Sequence, residues 1–184
     1  LVKGAGFRPF LEPVVACINY WDYVNEGNTD VTMIGLSGGG WTTHLSAAVD
    51  TRIKLSFPVA GSYPLYLRNN SIIGTIGDTE QYYEPIYNEN IAPDGTGGGV
   101  ATWLEIYALG GVGKGRRQVM VTAQYDICCF NGDPENTVNT FKGIVRDKVK
   151  KLGEGTWGHK LDTTHRNHKI SFWVLDKVVM PELP

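Results

Sequence analysis

The chain has 184 residues, enough for one domain with a core of its own, since single domains cluster at roughly 100 to 200 residues. Apolar residues make up 42% and charged residues 20%, and 17 basic side chains stand against 19 acidic ones. That is the balance of a soluble globular protein, and it offers no electrostatic pull on nucleic acid or on an anionic membrane. The densest basic run, residues 148–151, is the size of a solvated helix end, and no window approaches the roughly 18 apolar residues of a membrane span or the apolar stretch of a signal peptide.

Residues 9–24 place Leu11, Val14, Val15, Ile18 and Trp21 at helical spacing, which predicts an amphipathic helix with Pro13 near its first turn and Cys17 as a small buried residue. Turn residues follow. Residues 31–35 then have the length and apolarity of a strand buried on both faces. Beyond the glycines at 38–40, residues 41–50 suit a helix of about three turns, and residues 54–61 return to a buried strand. This alternation predicts an α/β fold, a mostly parallel sheet flanked by helices.

Residues 62–116 break the alternation, with much Tyr, Asn and Gly, a weak point at 93–99 and helical periodicity at 100–110. They read as an insertion or lid-like segment. Its aromatics, Tyr63, Tyr66, Tyr82, Tyr83, Tyr87, Trp103 and Tyr107, either roof a pocket or pack the segment against the sheet. Residues 116–123 are the strongest strand signal. A helix over 135–152 follows with Val138, Phe141, Ile144, Val145 and Val149 along one stripe, then a short strand within 155–164 and an amphipathic helix over 169–180 ended by Pro181.

Three cysteines cannot all pair, and the tether between Cys128 and Cys129 makes a bridge between neighbours unusual. With no ligand-spaced His or Cys beside them, no metal and no cofactor is expected. Asn69-Asn70-Ser71 is a glycosylation sequon.

Gly35-Leu36-Ser37-Gly38-Gly39 fits G-x-S-x-G, in which a serine stands on a strained turn from strand to helix. Side chains at the flanking glycines would collide with the neighbouring backbone, and the Gly38 amide would serve as an oxyanion donor at a helix N-terminus. A glycine-rich turn without chemistry would carry the same letters; the position between an apolar strand and a helix favours the nucleophile. Such a serine needs a base and an acid to orient it, in the chain order Ser, Asp or Glu, His. Asp126 lies three residues beyond the strong strand, where a loop can aim a carboxylate into a site. It is favoured over Asp133, which beside Pro134 reads as a helix N-cap. Among the histidines, His44 belongs to the helix after Ser37 and His159 to the last strand region. His168, directly before the final helix, is favoured over His165 as the base.

These residues together resemble the serine-nucleophile α/β-hydrolase superfamily of esterases, lipases and peptidases, in motif order across residues 31–175. The resemblance implies Ser37 as nucleophile, His168 as general base and acid, Asp126 as its partner and Gly38 as oxyanion donor. It also implies a single, partial hydrolase domain over 1–184, the C-terminal portion of such a fold. Several strands and a second oxyanion amide that the family carries ahead of the elbow have no counterpart before Ser37. The expected activity is cleavage of a small-molecule carboxylic ester through an acyl-serine, with no nucleic-acid partner and no membrane span. The alternatives are a peptidase of the same fold or a non-catalytic binding module. The first strand's open edge would invite self-association.

Overall fold

A computed structural model describes residues 5–27, 29–68, 79–87, 98–131 and 137–183. The sequon at 69–71, Asp133 and the stretch 93–97 lie outside the described residues. The first helix, α1 (Arg8–Val24), follows a 3-10 turn at Ala5–Phe7. Pro9 suits the helix start; Pro13 lies inside the helix rather than in its first turn, where it withholds one backbone donor. Ile18 is buried against Ala47 and Ile53, while Trp21 at the end of the predicted stripe is exposed. Cys17 is a free, exposed thiol and not the buried residue expected.

Four strands form one parallel sheet in the order β1 (Val31–Leu36), β2 (Ile53–Val59), β3 (Arg117–Ala123) and β4 (Thr156–Asp162). The α/β expectation therefore holds. The register pairs Leu36 with Val59, Val59 with Val121 and Ala123 with Asp162, so all four carboxyl ends reach one edge. β1 is a sheet edge among the described residues. It is half-buried along most of its length, not buried on both faces as its apolarity suggested.

Parallel neighbours require crossovers, and helices supply them. The β1–β2 crossover is α2 (Gly38–Val49), and after the short turns α3 (Leu65–Arg68) and α4 (Glu84–Tyr87) the β2–β3 crossover is α5 (Trp103–Gly111). A capping box starts α5: the Glu105 amide donates to Thr102 Oγ1 and the Thr102 amide donates to Glu105 Oε2. The last crossover is α6 (Lys142–Leu152), after a 3-10 turn at Val138–Thr140. The predicted helix over 135–152 is thus split, with residues 135–136 outside the described set. α2 packs on β1 and β2, α5 on α2, and α6 on α5 and β4.

Tyr63, Tyr87, Trp103 and Tyr107, all from the aromatic stretch 62–116, are buried in the core with Trp41, Phe57, Val121, Phe141 and Trp157. Tyr66 and Tyr82 are exposed. Trp41 Nε1 donates to Tyr87 Oη at 2.8 Å, and the Ser62 and Tyr107 hydroxyls lie 2.9 Å apart. The chain closes with α7 (Phe172–Val174), a π turn at Leu175–Val179 and a 3-10 turn at Met180–Glu182, so the predicted terminal helix changes its hydrogen-bond period twice and Pro181 falls in its last turn. Val174, Val178 and Val179 join the core. No helix among the described residues is long and apolar enough to cross a membrane.

At the amino edge of the sheet Arg116 is buried. Its Nε donates to the Ile53 carbonyl at 3.1 Å, Nη1 to those of Leu109 and Val112 at 2.9 and 2.7 Å, and Nη2 to that of Ala47. Burial lowers its pKa, and the Asp50 carboxylate works in the opposite direction. One side chain thus closes the end of α2, the start of β2 and the end of α5.

Candidate active site

The carboxyl edge is where chain direction changes after each strand, and three sequence-predicted residues stand there on different loops. Ser37 occupies the single residue between β1 and α2 with φ 57° and ψ −121°, a conformation rarely held by a residue with a Cβ. Its amide donates to the Val59 carbonyl at 2.9 Å and its carbonyl accepts from the Trp41 amide at 2.9 Å, so both backbone neighbours hold the turn. The hydroxyl makes no capping bond to α2.

The glycines around the turn have unequal reasons. A Cβ on Gly35 would lie 2.1 Å from the Gly39 carbonyl oxygen and 2.6 Å from Thr43 Oγ1. One on Gly40 would lie 2.6 Å from the Val59 carbonyl oxygen and 3.0 Å from Gly61 Cα. Gly38 and Gly39 would meet nothing within 4 Å. The steric demand expected of Gly39 therefore falls on Gly40, one residue farther along, because that is where α2 passes closest to β2. The amide of Gly38, as the first of the helix, has no intrahelical acceptor.

Asp126, 1% exposed, lies on the loop after β3. Its Oδ2 accepts from His168 Nδ1 at 2.7 Å and its Oδ1 accepts from the Cys128 amide at 2.8 Å. Asn131 Nδ2 donates to the Asp126 carbonyl oxygen at 2.7 Å, folding the loop back on itself. A carboxylate acceptor on Nδ1 makes Nδ1 the protonated nitrogen and leaves Nε2 with the lone pair. Nε2 of His168 is buried and without a hydrogen-bond partner among the described residues. The structure thus brings Asp126 and His168 together; the Ser37 hydroxyl is not hydrogen-bonded to the imidazole.

The other histidines have other partners. His165 Nε2 lies 3.2 Å from Oδ2 of a different carboxylate, Asp162, at the end of β4. Asp162 also accepts from the Thr164 amide at 2.8 Å, from Thr164 Oγ1 at 2.6 Å and from the Ser171 hydroxyl. Burial alone would raise this carboxyl's pKa, but the Ser171 and Thr164 bonds and the His165 ring together hold it below the ordinary range. Asp162 so pins both ends of the loop that carries His168. The same loop meets the loop after β3, where the Ile127 amide donates to the Arg166 carbonyl at 3.1 Å.

His44 is fully buried in α2, with Nδ1 3.1 Å from Gln118 Oε1, and burial pushes its pKa down to about 3. His159 on β4 lies 2.8 Å from Thr122 Oγ1, and burial, with Lys142 and Arg146 nearby, pushes it down to about 4. Both are neutral residues of the packing.

Two features escaped the sequence. Cys128 and Cys129 form a disulfide, against the expectation that neighbours would not bridge. A histidine also stands beside them after all: both sulfurs and an imidazole nitrogen of His168 lie within 4.8 Å of one another. The only linear signal was that the cysteines follow Asp126 by two and three residues.

No protein-family model matches the chain, and no curated protein sequence matches it. Solved structures resemble it, three of them at 16% identity each. An acetyl xylan esterase from Paenibacillus sp. R4 has a TM-score of 0.45, with 91% of this chain and 50% of that one covered. Methylesterase BT1017 has a TM-score of 0.47, with 90% and 35% covered. A carbohydrate esterase family 15 glucuronoyl esterase from Caldicellulosiruptor kristjansonii has a TM-score of 0.42, with 79% and 40% covered. The chain spans half or less of the length of each of these structures.

Proposed function

We propose that the chain is a serine carboxylic-ester hydrolase of the α/β-hydrolase kind, acting through an acyl-serine with Ser37, Asp126 and His168 as its triad. The observation that carries this reading is the 2.7 Å Asp126–His168 hydrogen bond at the sheet edge where Ser37 stands on a positive-φ turn. His44 is fully buried against the Gln118 amide and the half-buried His159 faces the Thr122 hydroxyl, whereas His168 Nδ1 is hydrogen-bonded to a buried carboxylate and its Nε2 keeps no partner among the described residues.

In this mechanism Ser37 Oγ attacks the ester carbonyl carbon as His168 Nε2 takes its proton. Asp126 stabilises the imidazolium and keeps the ring from rotating. Negative charge gathers on the former carbonyl oxygen, and the Gly38 amide donates to it. Collapse expels the alcohol, protonated by His168, and leaves the acyl group on Ser37. Water, deprotonated by the same nitrogen, then frees the acid. One oxyanion donor is typically worth about 3 to 4 kcal/mol in the transition state, so a second donor beside Gly38 belongs to the full-rate enzyme.

A fluorophosphonate probe on the full-length protein tests the reading. One label per chain is expected, lost in Ser37→Ala and strongly slowed in His168→Ala. Labelling that survives Ser37→Ala, or a folded wild type that takes no label, overturns it. Nitrophenyl esters of short and long acyl chains, set against an aminoacyl amide, then separate esterase from lipase and peptidase.

A further inference from the structure

Acyl transfer has no need of two cysteines beside its base. The acid is oriented by the Cys128 amide, which any residue except proline would supply. Yet the loop places a disulfide against His168, with Cys128 exposed and Cys129 and His168 half-buried, so solvent species reach the group.

A disulfide sulfur is a poor metal ligand and a thiolate a strong one. Reduction therefore changes what this loop can hold. A dithiol reductant attacks one sulfur as its thiolate, its second thiol resolves the mixed disulfide, and it leaves as a cyclic disulfide, having passed two electrons to the protein. Two cysteine thiols remain. A divalent ion that binds them as thiolates releases two protons to solvent, and imidazole nitrogen supplies a third ligand. With metal–sulfur bonds of about 2.3 Å and metal–nitrogen bonds of about 2.0 Å, the ligand atoms of a tetrahedral zinc site stand roughly 3.5 to 3.8 Å apart. The three atoms here are already within 4.8 Å of one another, so side-chain rotations alone could close the set. Two sulfurs and one nitrogen select zinc, cadmium or cuprous ions over magnesium and calcium, which prefer oxygen.

We propose that reduction of the Cys128–Cys129 disulfide unmasks a soft-metal site made of the two thiolates and His168, and that a zinc-class ion bound there withdraws the imidazole from acyl transfer. The inhibitory half rests on the reading of His168 as general base; the metal site does not.

The test uses full-length protein carrying Cys17→Ser, which removes the exposed free thiol. Oxidised and dithiol-reduced forms, freed of reductant without air, are titrated with zinc against a chromophoric chelator. The reduced form is expected to take one zinc per chain at least about 100-fold more tightly than the oxidised form, and to lose at least about tenfold of that affinity in His168→Ala. Cys128→Ser/Cys129→Ser should behave like the oxidised form; should that variant not fold, reduced protein alkylated with iodoacetamide replaces it. Equal zinc affinity in oxidised and reduced protein, or in protein with both thiols removed or blocked, overturns the site. Ester hydrolysis by the reduced form should fall at least about tenfold at one equivalent of zinc and return with chelator, each form compared with its own metal-free rate. Stoichiometric zinc with undiminished hydrolysis overturns the inhibition. Should the zinc-free protein hydrolyse nothing, the esterase reading fails and the inhibition with it, while the titration, repeated in Ser37→Ala, still decides the metal site.

Discussion

At the amino edge of the sheet the Arg116 guanidinium donates to four backbone carbonyls, whereas at the carboxyl edge His168 Nε2 is buried with no hydrogen-bond partner among the described residues. Both edges gather polar groups at strand ends. Satisfied groups hold elements together and have nothing left to offer a substrate. Groups oriented from behind, as Asp126 orients His168, but left open in front are what acyl transfer needs. The contrast teaches that polarity alone does not mark a candidate site in this fold; an open imidazole nitrogen backed by a carboxylate bonded to the other ring nitrogen is the added feature.

The sharpest way to break the contrast is Asp126→Asn. An amide in that place favours the wrong tautomer of His168, and kcat for ester hydrolysis should fall by about 10³- to 10⁴-fold with little change in melting temperature. A loss of stability matched by no specific loss of kcat would make Asp126 a structural residue like Arg116. The converse substitution, Arg116→Met, strands four carbonyls, two of them buried and two part-buried. Urea unfolding should show a loss of about 3 to 5 kcal/mol, with hydrolysis per folded molecule unchanged.

A pH series separates the two kinds of histidine next. His44 and His159 have folded pKa values of about 3 and about 4, below the ordinary histidine value of about 6.5, so between these limits the unfolded chain binds more protons. Their stabilisation is fully present above pH 6.5 and is lost as pH falls toward 4. Together they should remove about 2 to 3 kcal/mol between pH 7 and 5.5. Unfolding free energies that stay flat over this window would mean that both rings take up protons in the fold as readily as in the unfolded chain. The smallest effect tests the turn itself. Gly40→Ala forces a Cβ to 2.6 Å from the Val59 carbonyl and should cost about 1 to 3 kcal/mol. Gly39→Ala meets no atom within 4 Å and should be neutral or stabilising by up to about 1 kcal/mol. Equal costs at the two positions would restore the motif's simpler account.

What the sequence by itself determined is the part written in local pattern. An apolar strand, a glycine-flanked serine and a helix are consecutive, so Ser37 on its bend was legible, as was the parallel α/β alternation. Asp126 and His168 were legible as positions, one shortly after a strand and one just before the last helical segment. Tertiary structure decided everything that depends on which loops meet. It joined Asp126 to His168 and gave His165 to Asp162, a choice of partners across 42 and 3 residues that spacing does not encode. It moved the steric burden from Gly39 to Gly40, because contact with β2 depends on where α2 crosses it. It left β1 half-buried along most of its length, although its letters are those of a strand buried on both faces; its open edge among the described residues was already expected from the sequence. It bridged Cys128 to Cys129 and brought His168 alongside them, which no reading of adjacent cysteines proposed. Hydrophobic periodicity acts over a few residues and is visible in them; partner choice is set by the packing of the whole sheet, which only the folded chain computes.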